Sequence, residues 1–110
     1  MSLDRNWKYA ILWEFQVNPE FQSQFEQAYG ASGDWAQLFR SGDGYSGTEL
    51  IRDETDPYRY VTIDLWRSRQ DYETFRNQHA DEYRRIDVAC ERMTETERAL
   101  GTFERATLSR

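Results

Sequence analysis

Apolar and polar side chains alternate strictly along residues 58–66, the segment YRYVTIDLW. A period of two is typical of a strand whose two faces meet different surroundings. One face is aliphatic and carries Val61, Ile63 and Leu65. The other combines polar and aromatic groups: Tyr60, Thr62, Asp64 and Trp66. We expect the aliphatic face to pack beneath helices and the second face to stay open for another copy of the chain.

Alternation and turn residues predict three further strands. Residues 9–17 direct one set of apolar side chains toward the helices: Ile11, Trp13, Phe15 and Val17. The turn DETDP joins residues 44–52 to residues 58–66, which predicts a hairpin. The last strand is expected at residues 102–107, because Gly101 ends the helical region before it.

Apolar spacings of three and four residues predict the helices. Asn18 and Pro19 signal the start of the first, with Asn18 as N-cap, and Gly30 ends it. A short second helix is predicted over residues 34–40. Ser68 and Asp71 resemble a capping box that opens a long helical region. That region, expected to bend near residues 77–80, carries one apolar stripe: Tyr72, Phe75, His79, Tyr83, Ile86, Cys90 and Met93.

The predicted order is strand, helix, strand, strand, helix, strand. This order is the ferredoxin-like split βαβ arrangement (βαββαβ), an α+β fold in which helices cover one face of a four-stranded antiparallel sheet. We expect one domain over residues 9–107, with an N-terminal tail at 1–8 and a C-terminal tail at 108–110. The uncovered sheet face predicts a homodimer through the open sheet face.

Composition narrows the function classes. The 110 residues include four Trp, seven Tyr and six Phe, more rings than a small core easily buries, so some should face a partner or a ligand. The net charge of −6 disfavours a nucleic-acid partner. No stretch is apolar over the length of a membrane span, and no basic and apolar leader is evident. Because Cys90 is the single cysteine, we expect a reducing compartment and a cytoplasmic protein.

Three segments resemble the antibiotic biosynthesis monooxygenase (ABM) domain family, of the dimeric α+β barrel group: WEFQVNPEFQSQFEQAYG, GYSGTELIRDETDP and YVTIDLWRSRQDYETF. The resemblance implies the fold described above, dimerised through the open sheet faces. The family includes cofactor-independent oxygenases of polyphenolic or quinone-like substrates, haem-degrading enzymes and members without known activity. Fold-level analogy does not choose among these.

The haem-degrading branch is disfavoured residue by residue. The resemblance implies an Asn on the first strand, a Trp in the helix after the third strand and a downstream His that binds iron. The corresponding positions here hold Trp13, Phe75 and one of residues 85–87, of which none is His. We therefore expect no haem, and with one His and one Cys in the chain we expect no metal site and no other cofactor.

The single histidine, His79, is the first candidate for a catalytic acid or base near neutral pH. The alternative is a structural histidine, hydrogen-bonded or exposed at the bend of the helix. Tyr72 and Tyr83 are candidate catalytic donors to a phenolate or quinone oxygen. The candidate stacking surfaces for a flat substrate are Trp13, Trp35 and Phe75. The alternative for all five rings is core packing, since aromatic stripes at helical spacing usually belong to a core.

Asp64 and Glu14 allow a paired-carboxylate interpretation, but hydrolases need such a pair across a cleft. We interpret both as interface groups paired with Arg52 or Tyr60 of either chain.

Two functions remain open. The first is an oxygenase that oxidises a small aromatic ligand without flavin, haem or metal, in a pocket lined by Trp13, Tyr72, His79 and Tyr83. The second is a non-catalytic, ligand-binding or structural homodimer of the same fold.

Overall fold

The computed structural model describes residues 6–106, and within them the predicted α+β, ferredoxin-like architecture is confirmed. The elements are β1 Tyr9–Val17, α1 Gln22–Tyr29, α2 Asp34–Phe39, β2 Tyr45–Arg52, β3 Arg59–Trp66, α3 Arg69–Gln78, α4 Ala80–Cys90 and β4 Thr94–Glu104. The strands form an antiparallel sheet in the order β2-β3-β1-β4. Short 3₁₀ turns precede α1 and follow α4, at Pro19–Phe21 and Glu91–Met93.

The helices cover the face of β3 that the sequence pattern assigned to the outside, so that expectation is wrong. Tyr60 and Trp66 are 1% and 0% exposed, and each packs against rings of the helices. The reason is the register between β1 and β3, which places Trp13 opposite Thr62. Directly paired residues share a face, so the odd-numbered residues of β1 lie beside the even-numbered residues of β3. Because Thr62 and Asp64 therefore point inward, they belong to no dimer surface.

The outward face of the sheet is correspondingly more apolar than expected. Val61 and Ile63 lie on it, and Ile51 of β2 and Phe103 of β4 are half exposed there. Glu14 also lies on this face, paired with Arg59 at 2.5 Å and with Arg98 at 2.7 Å. Arg98 and Arg59 hold the pKa of Glu14 below its usual value.

Aromatic rings dominate the core between the sheet and the helices. Phe25 of α1 is fully buried and stacks on Tyr29 with ring centroids 4.2 Å apart. At the other end of the sheet Trp66 lies between Phe39 of α2 and Phe75 of α3, at 5.9 and 5.2 Å. Phe25 also packs on Phe15 of β1 with ring centroids 5.3 Å apart, so ring contacts place α1, α2 and α3 on the same face of the sheet.

The fourth strand is longer than predicted and begins earlier. β4 spans Thr94–Glu104 and pairs with β1 along its length, so Gly101 lies inside the strand, with φ of +138°, instead of preceding it. The first half of β4 is mostly charged and exposed, which made it resemble a solvated helix face. Thr107, the predicted end of the strand, lies outside the described residues, and the predicted tail boundaries remain predictions.

The predicted bend in the long helical region is confirmed at His79, where φ and ψ of −122° and 31° separate α3 from α4. The start of α3 is capped as expected, because the Ser68 hydroxyl accepts a hydrogen bond from the Asp71 N–H at 3.1 Å. The Asp71 carboxylate turns to Arg67 at 2.7 Å instead of completing a capping box. Asn18 makes no side-chain cap at its helix and donates instead to the carbonyl of Arg92.

Replacing Ser68 by Ala should lower the free energy of unfolding by about 1 kcal/mol, because the first turn of α3 loses its side-chain acceptor. The matched control is Ser23→Ala, an exposed position inside α1, which should change stability by less than about 0.5 kcal/mol. Urea denaturation followed by circular dichroism measures both. Equal effects of the two substitutions would contradict the role of Ser68.

Candidate functional site

A cavity of about 270 Å³ lies between the sheet and the helices. The strands provide its floor: Ile11, Trp13, Phe15, Thr48, Thr62, Asp64 and Glu97. The helices provide its wall: Tyr29, Trp35, Phe39, Tyr72, Arg76, Tyr83 and Asp87. Arg76, Asp87 and Glu97 are exposed residues, so the side of the cavity near them faces solvent.

The structure brings four of the six predicted site residues together around this cavity. Trp13 contributes from β1, Trp35 from α2, Tyr72 from α3 and Tyr83 from α4. Trp35 and Tyr83 meet edge to face with their ring centroids 4.8 Å apart. Three of the four residues that were expected to line a pocket, Trp13, Tyr72 and Tyr83, thus line this cavity together with Trp35.

His79 does not line the cavity, so its expected place in the pocket is wrong. Its ring stacks on the outer side of Phe75 with centroids 5.2 Å apart, and its Nδ1 lies 3.3 Å from the Glu82 carboxylate. Phe75 is 1% exposed and packs against Trp66 and Phe39, so it belongs to the core instead of a ligand surface. The backbone break at His79 and the ring of Phe75 together keep the imidazole away from the cavity.

Asp64 is the polar cavity residue that the sequence analysis assigned to another role. Its carboxylate accepts a hydrogen bond from the Thr48 hydroxyl at 2.7 Å. Within residues 6–106, Thr48 is the one hydrogen-bond donor to Asp64, and no cation forms an ion pair with it. Burial raises the pKa of Asp64 to about 6, against the lowering effect of the Thr48 hydrogen bond. In the sequence, Asp64 alternates with Thr62 and Trp66 and therefore shares their face of β3. Only the register with β1 shows that this face is the inner one.

A chain of two hydroxyl groups leads to this carboxylate. Since Thr48 gives its single proton to Asp64, the hydrogen bond of 2.6 Å between Thr48 and Tyr45 requires that Tyr45 donates. Burial raises the pKa of Tyr45 to about 12, so its hydroxyl keeps its proton in the neutral range. The order of donation is therefore Tyr45 to Thr48 to Asp64.

The helical wall carries a second polar cluster. Arg76 donates to the Tyr72 hydroxyl at 3.1 Å, and its guanidinium lies 3.8 Å from the ring centroid of Tyr83. Burial, and then the proximity of Tyr72, raises the pKa of Tyr83. The Tyr83 hydroxyl has no hydrogen-bond partner among the described residues, and the Tyr72 hydroxyl accepts from Arg76 and keeps its own proton to donate. Both residues line the cavity, and neither hydroxyl proton has an acceptor among the described residues.

Glu14, the other carboxylate of the paired interpretation, lies on the opposite side of the sheet from Asp64 and pairs with Arg59 and Arg98. The two carboxylates therefore do not share a site. Within residues 6–106 no group of three or more His, Cys, Asp or Glu side chains is placed to hold a metal ion. None of the helices in the described part of the chain is long and apolar enough to cross a membrane.

Comparison with models of protein families identifies one family. The family model described as antibiotic biosynthesis monooxygenase matches residues 9–86. No curated protein sequence matches the chain. Among solved structures, SnoaB, a cofactor-independent oxygenase from Streptomyces nogalater, superposes with a TM-score of 0.69 at 19% identity, over 93% of this chain and 96% of that one.

Two further structures show the same fold. A candidate antibiotic biosynthesis monooxygenase from Deinococcus radiodurans has a TM-score of 0.72 at 13% identity, over 93% of this chain and 96% of that chain. A protein from Pseudomonas aeruginosa has a TM-score of 0.66 at 15% identity, over 92% of this chain and 96% of its own. At such identities the likeness establishes the shared fold.

Replacing Asp64 by Asn should make the stability of the protein less dependent on pH. With a folded pKa of about 6 against a usual value of 3.8, the folded state binds the proton of Asp64 more tightly than the unfolded state. The wild type therefore loses stability as pH rises from about 4 to about 6, by about 2–3 kcal/mol, and Asp64→Asn should not. Denaturation at pH 4, 5, 6 and 7 measures the difference between the two proteins.

Asp53→Asn is the control with the opposite sign. The hydrogen bonds from Thr55, and then from Arg59, lower the pKa of Asp53 to about 2, so its contribution is present above pH 4 and is lost as pH falls toward 2. This variant should be less stable than the wild type at pH 7. The difference in their free energies of unfolding should decrease as the pH falls toward 2. An Asp64→Asn variant that follows the same trend would show that the Asp64 carboxylate stabilises the fold when charged.

Proposed function

Since the chain belongs to the antibiotic biosynthesis monooxygenase family, we propose that it is an oxygenase that oxidises a small, electron-rich aromatic substrate without flavin, haem or metal. One observation carries the proposal: a cavity walled by aromatic rings is also lined by Tyr72, Tyr83 and Asp64. Its volume of about 270 Å³ is slightly below the range of about 300–1,000 Å³ for pockets that hold drug-sized ligands. This size favours a substrate of few rings.

The proposed chemistry needs only what side chains can supply. In a cofactor-independent oxygenation the substrate anion itself gives electrons to O₂, so the protein contributes a base, hydrogen bonds to the charged oxygen and a site with little water. Tyr72 and Tyr83 are the proposed donors to that oxygen, because each has a hydroxyl proton that no described residue accepts. Burial of Tyr83 keeps it protonated, and hence a donor, in the neutral range.

The flat surfaces of the cavity suit a planar ring. Trp13 rises from the sheet and Trp35 from α2, so a ligand between floor and wall contacts one indole from each side. The Trp35 indole N–H is buried on the side of Tyr29 and Cys90, so Trp35 would offer a ligand its ring surface.

The second candidate function is a binding protein of the same fold that performs no chemistry. It is favoured by the position of His79, because the chain's one imidazole lies outside the cavity. Binding of aromatic ligands without consumption of O₂ would support this candidate over the oxygenase.

We also propose that two copies of the chain pair through the open sheet face, defined by Leu12, Ile51, Val61, Ile63 and Phe103. Exposure of 50% for Ile51 and 48% for Phe103 supports this, since a second sheet would remove both from water. Glu14 and its two arginines lie beside the apolar residues and provide a charged region for the pairing surface. An obligate pair would bury more than about 2,000 Å² in total.

A reducing compartment, and with it the cytoplasm, is the proposed location. The described cysteine, Cys90, is a buried free thiol whose pKa is raised by burial, so it is poorly suited to react or to form a disulfide.

Substitution of Tyr72 or Tyr83 by Phe should leave the fold intact and lower kcat, since each removes one donor to the charged oxygen. Loss of such a donor typically costs about 10²–10³-fold in kcat. Oxygen uptake with a panel of hydroquinones and dihydroxynaphthalenes measures the effect, with circular dichroism as the check on folding. Tyr58→Phe, a tyrosine outside the cavity, is the matched control and should retain the wild-type kcat. No oxygen uptake above the uncatalysed rate by the wild type would count against the oxygenase.

Replacing Ile63 by Asp should convert the dimer into monomers, because a charge would have to be buried at the centre of the apolar surface. Arg69→Glu, an exposed change at the start of α3, is the control and should leave the dimer intact. Sedimentation velocity at micromolar concentration distinguishes the two states. A monomeric wild type under these conditions would contradict the proposed pairing.

A further inference from the structure

Asp64 lines the cavity, and one of its two carboxylate oxygens has no hydrogen-bond donor among the described residues. Thr48 donates to Oδ1, and within residues 6–106 nothing donates to Oδ2. Arg76, the one arginine among the described residues that line the cavity, contacts the Tyr72 hydroxyl and the Tyr83 ring. A charged carboxylate that lies in a cavity without a paired cation lowers the stability of the fold. The stability of the fold therefore does not explain the presence of Asp64.

We propose that Asp64 is the general base of this cavity and that Thr48 and Tyr45 position it. The inference rests on the proposed oxygenase function and deepens it by naming the proton acceptor. It is carried by the free oxygen of Asp64 inside the cavity and by the two hydroxyls aligned behind the other oxygen.

A β-bulge in β2 places Tyr45 and Thr48 on the same side of that strand, next to Asp64. In a regular strand, residues three apart point to opposite faces, so Tyr45 and Thr48 would lie on different sides of β2. The pairing of β2 with β3 shifts between Tyr45 and Gly47, and Gly47 adopts φ of +132° there. The extra residue turns Tyr45 to the same face as Thr48, where its ring also packs on Trp66 at 5.3 Å. The carboxylate is thus oriented by groups that are themselves fixed.

Other titratable groups face the same cavity from the helices and from β4. Tyr29, Tyr72 and Tyr83 line the cavity, burial raises the pKa of Tyr29 and of Tyr83, and Arg76 and Asp87 lie at the exposed side of the helical wall. Glu97 of β4 is the rival base, since burial, and then Asp87 and Glu91, raise its pKa. Glu97 belongs to an exposed position on the edge strand, whereas Asp64 lies on the second strand of the sheet beneath the helices.

The charges around the cavity select the substrate class. An anionic ligand would meet three carboxylates, Asp64, Asp87 and Glu97, against the one lining guanidinium, that of Arg76, so the net charge of the described cavity lining would repel it. A neutral hydroxyl group instead donates a hydrogen bond to the free oxygen of Asp64. The cavity therefore favours a phenol or hydroquinone that enters uncharged and is ionised only after binding.

The proposed step balances without an external reductant. Asp64 takes the hydroxyl proton, and the resulting aryloxide forms a carbon–oxygen bond to O₂ at a ring carbon that bears hydrogen. The outer oxygen takes the proton back from Asp64, which gives a hydroperoxide. The ring carbon then loses its hydrogen as a proton while the O–O bond breaks, a carbonyl forms, and the leaving oxygen departs as water. One phenol and one O₂ thus yield one quinone and one water.

The test uses 2-naphthol bound to the full-length protein as a probe of the proton acceptor. This phenol becomes a much stronger acid on excitation, so it emits as naphtholate when a base accepts its proton and as naphthol when none does. The wild type should show naphtholate emission that disappears as the pH falls below about 6, where Asp64 becomes protonated. Asp64→Asn should bind the probe within about threefold of wild-type affinity and lower the naphtholate-to-naphthol ratio about tenfold or more.

Two kinds of variant separate a positioned base from a structural residue. Thr48→Val removes the donor to Oδ1, so it should raise the midpoint of the emission titration by roughly one pH unit. Tyr45→Phe should raise it by a smaller amount through Thr48. Glu97→Gln, which removes the rival carboxylate, should keep the wild-type midpoint. If Asp64→Asn does not fold, the change in titration midpoint of Thr48→Val tests whether Asp64 is the base.

Each outcome has a distinct meaning. Naphtholate emission that survives in Asp64→Asn, or that is lost in Glu97→Gln instead, would overturn the assignment of the base and leave the oxygenase standing. A wild-type midpoint that Thr48→Val does not move would overturn the positioning role. Failure of the wild type to bind 2-naphthol would overturn both this inference and the aromatic substrate. Proton transfer to Asp64 without oxygen uptake on any hydroquinone would support the base and contradict the oxygenase.

Discussion

The antiparallel register between β1 and β3 determines what lies beneath the helices. It sets Ile11 opposite Asp64 and Trp13 opposite Thr62, so the apolar side of β1 and the mixed side of β3 form one surface. Had the register moved by one residue, Val61, Ile63 and Leu65 would line that surface and no carboxylate would enter the cavity. The polar floor of the site and the apolar character of the outer face are two results of the same pairing.

The inner surface of the sheet carries aromatic rings at its two ends and polar groups between them. At one end Trp66, Phe39 and Phe75 pack on one another and fill the space, and at the other end Phe25 does the same with Tyr29 and Tyr60. Between the two clusters the residues of β3 are Thr62 and Asp64, which are too short to reach the helices. The cavity is thus the gap that two small side chains leave between two groups of large ones, and the stability of the clusters keeps it from collapsing.

Much of the architecture was predictable because it depends on local patterns. Alternation placed β1 at Tyr9–Val17 as observed, and Ser68 and Asp71 marked the start of α3. The faces of β3 were not predictable in the same way, since β1 and β3 are distant in the chain and their register is a tertiary property. The first half of β4 was missed because its charged residues lie at an exposed sheet edge, where no alternation is required. His79 was misplaced because an apolar stripe identifies a helix face but not which of its members a neighbouring ring will cover.

The break at His79 divides the cavity wall into two helices, while the floor belongs to one continuous sheet. Tyr72 and Tyr83 stand on opposite sides of the break and are linked by the side chain of Arg76 instead of by an unbroken helix. Because neither Thr48 nor Asp64 belongs to these helices, a change of angle at His79 would alter the helical wall alone. In the proposed site, the rings of the helical wall that would contact a ligand are in this way separate from the proposed proton acceptor on the sheet.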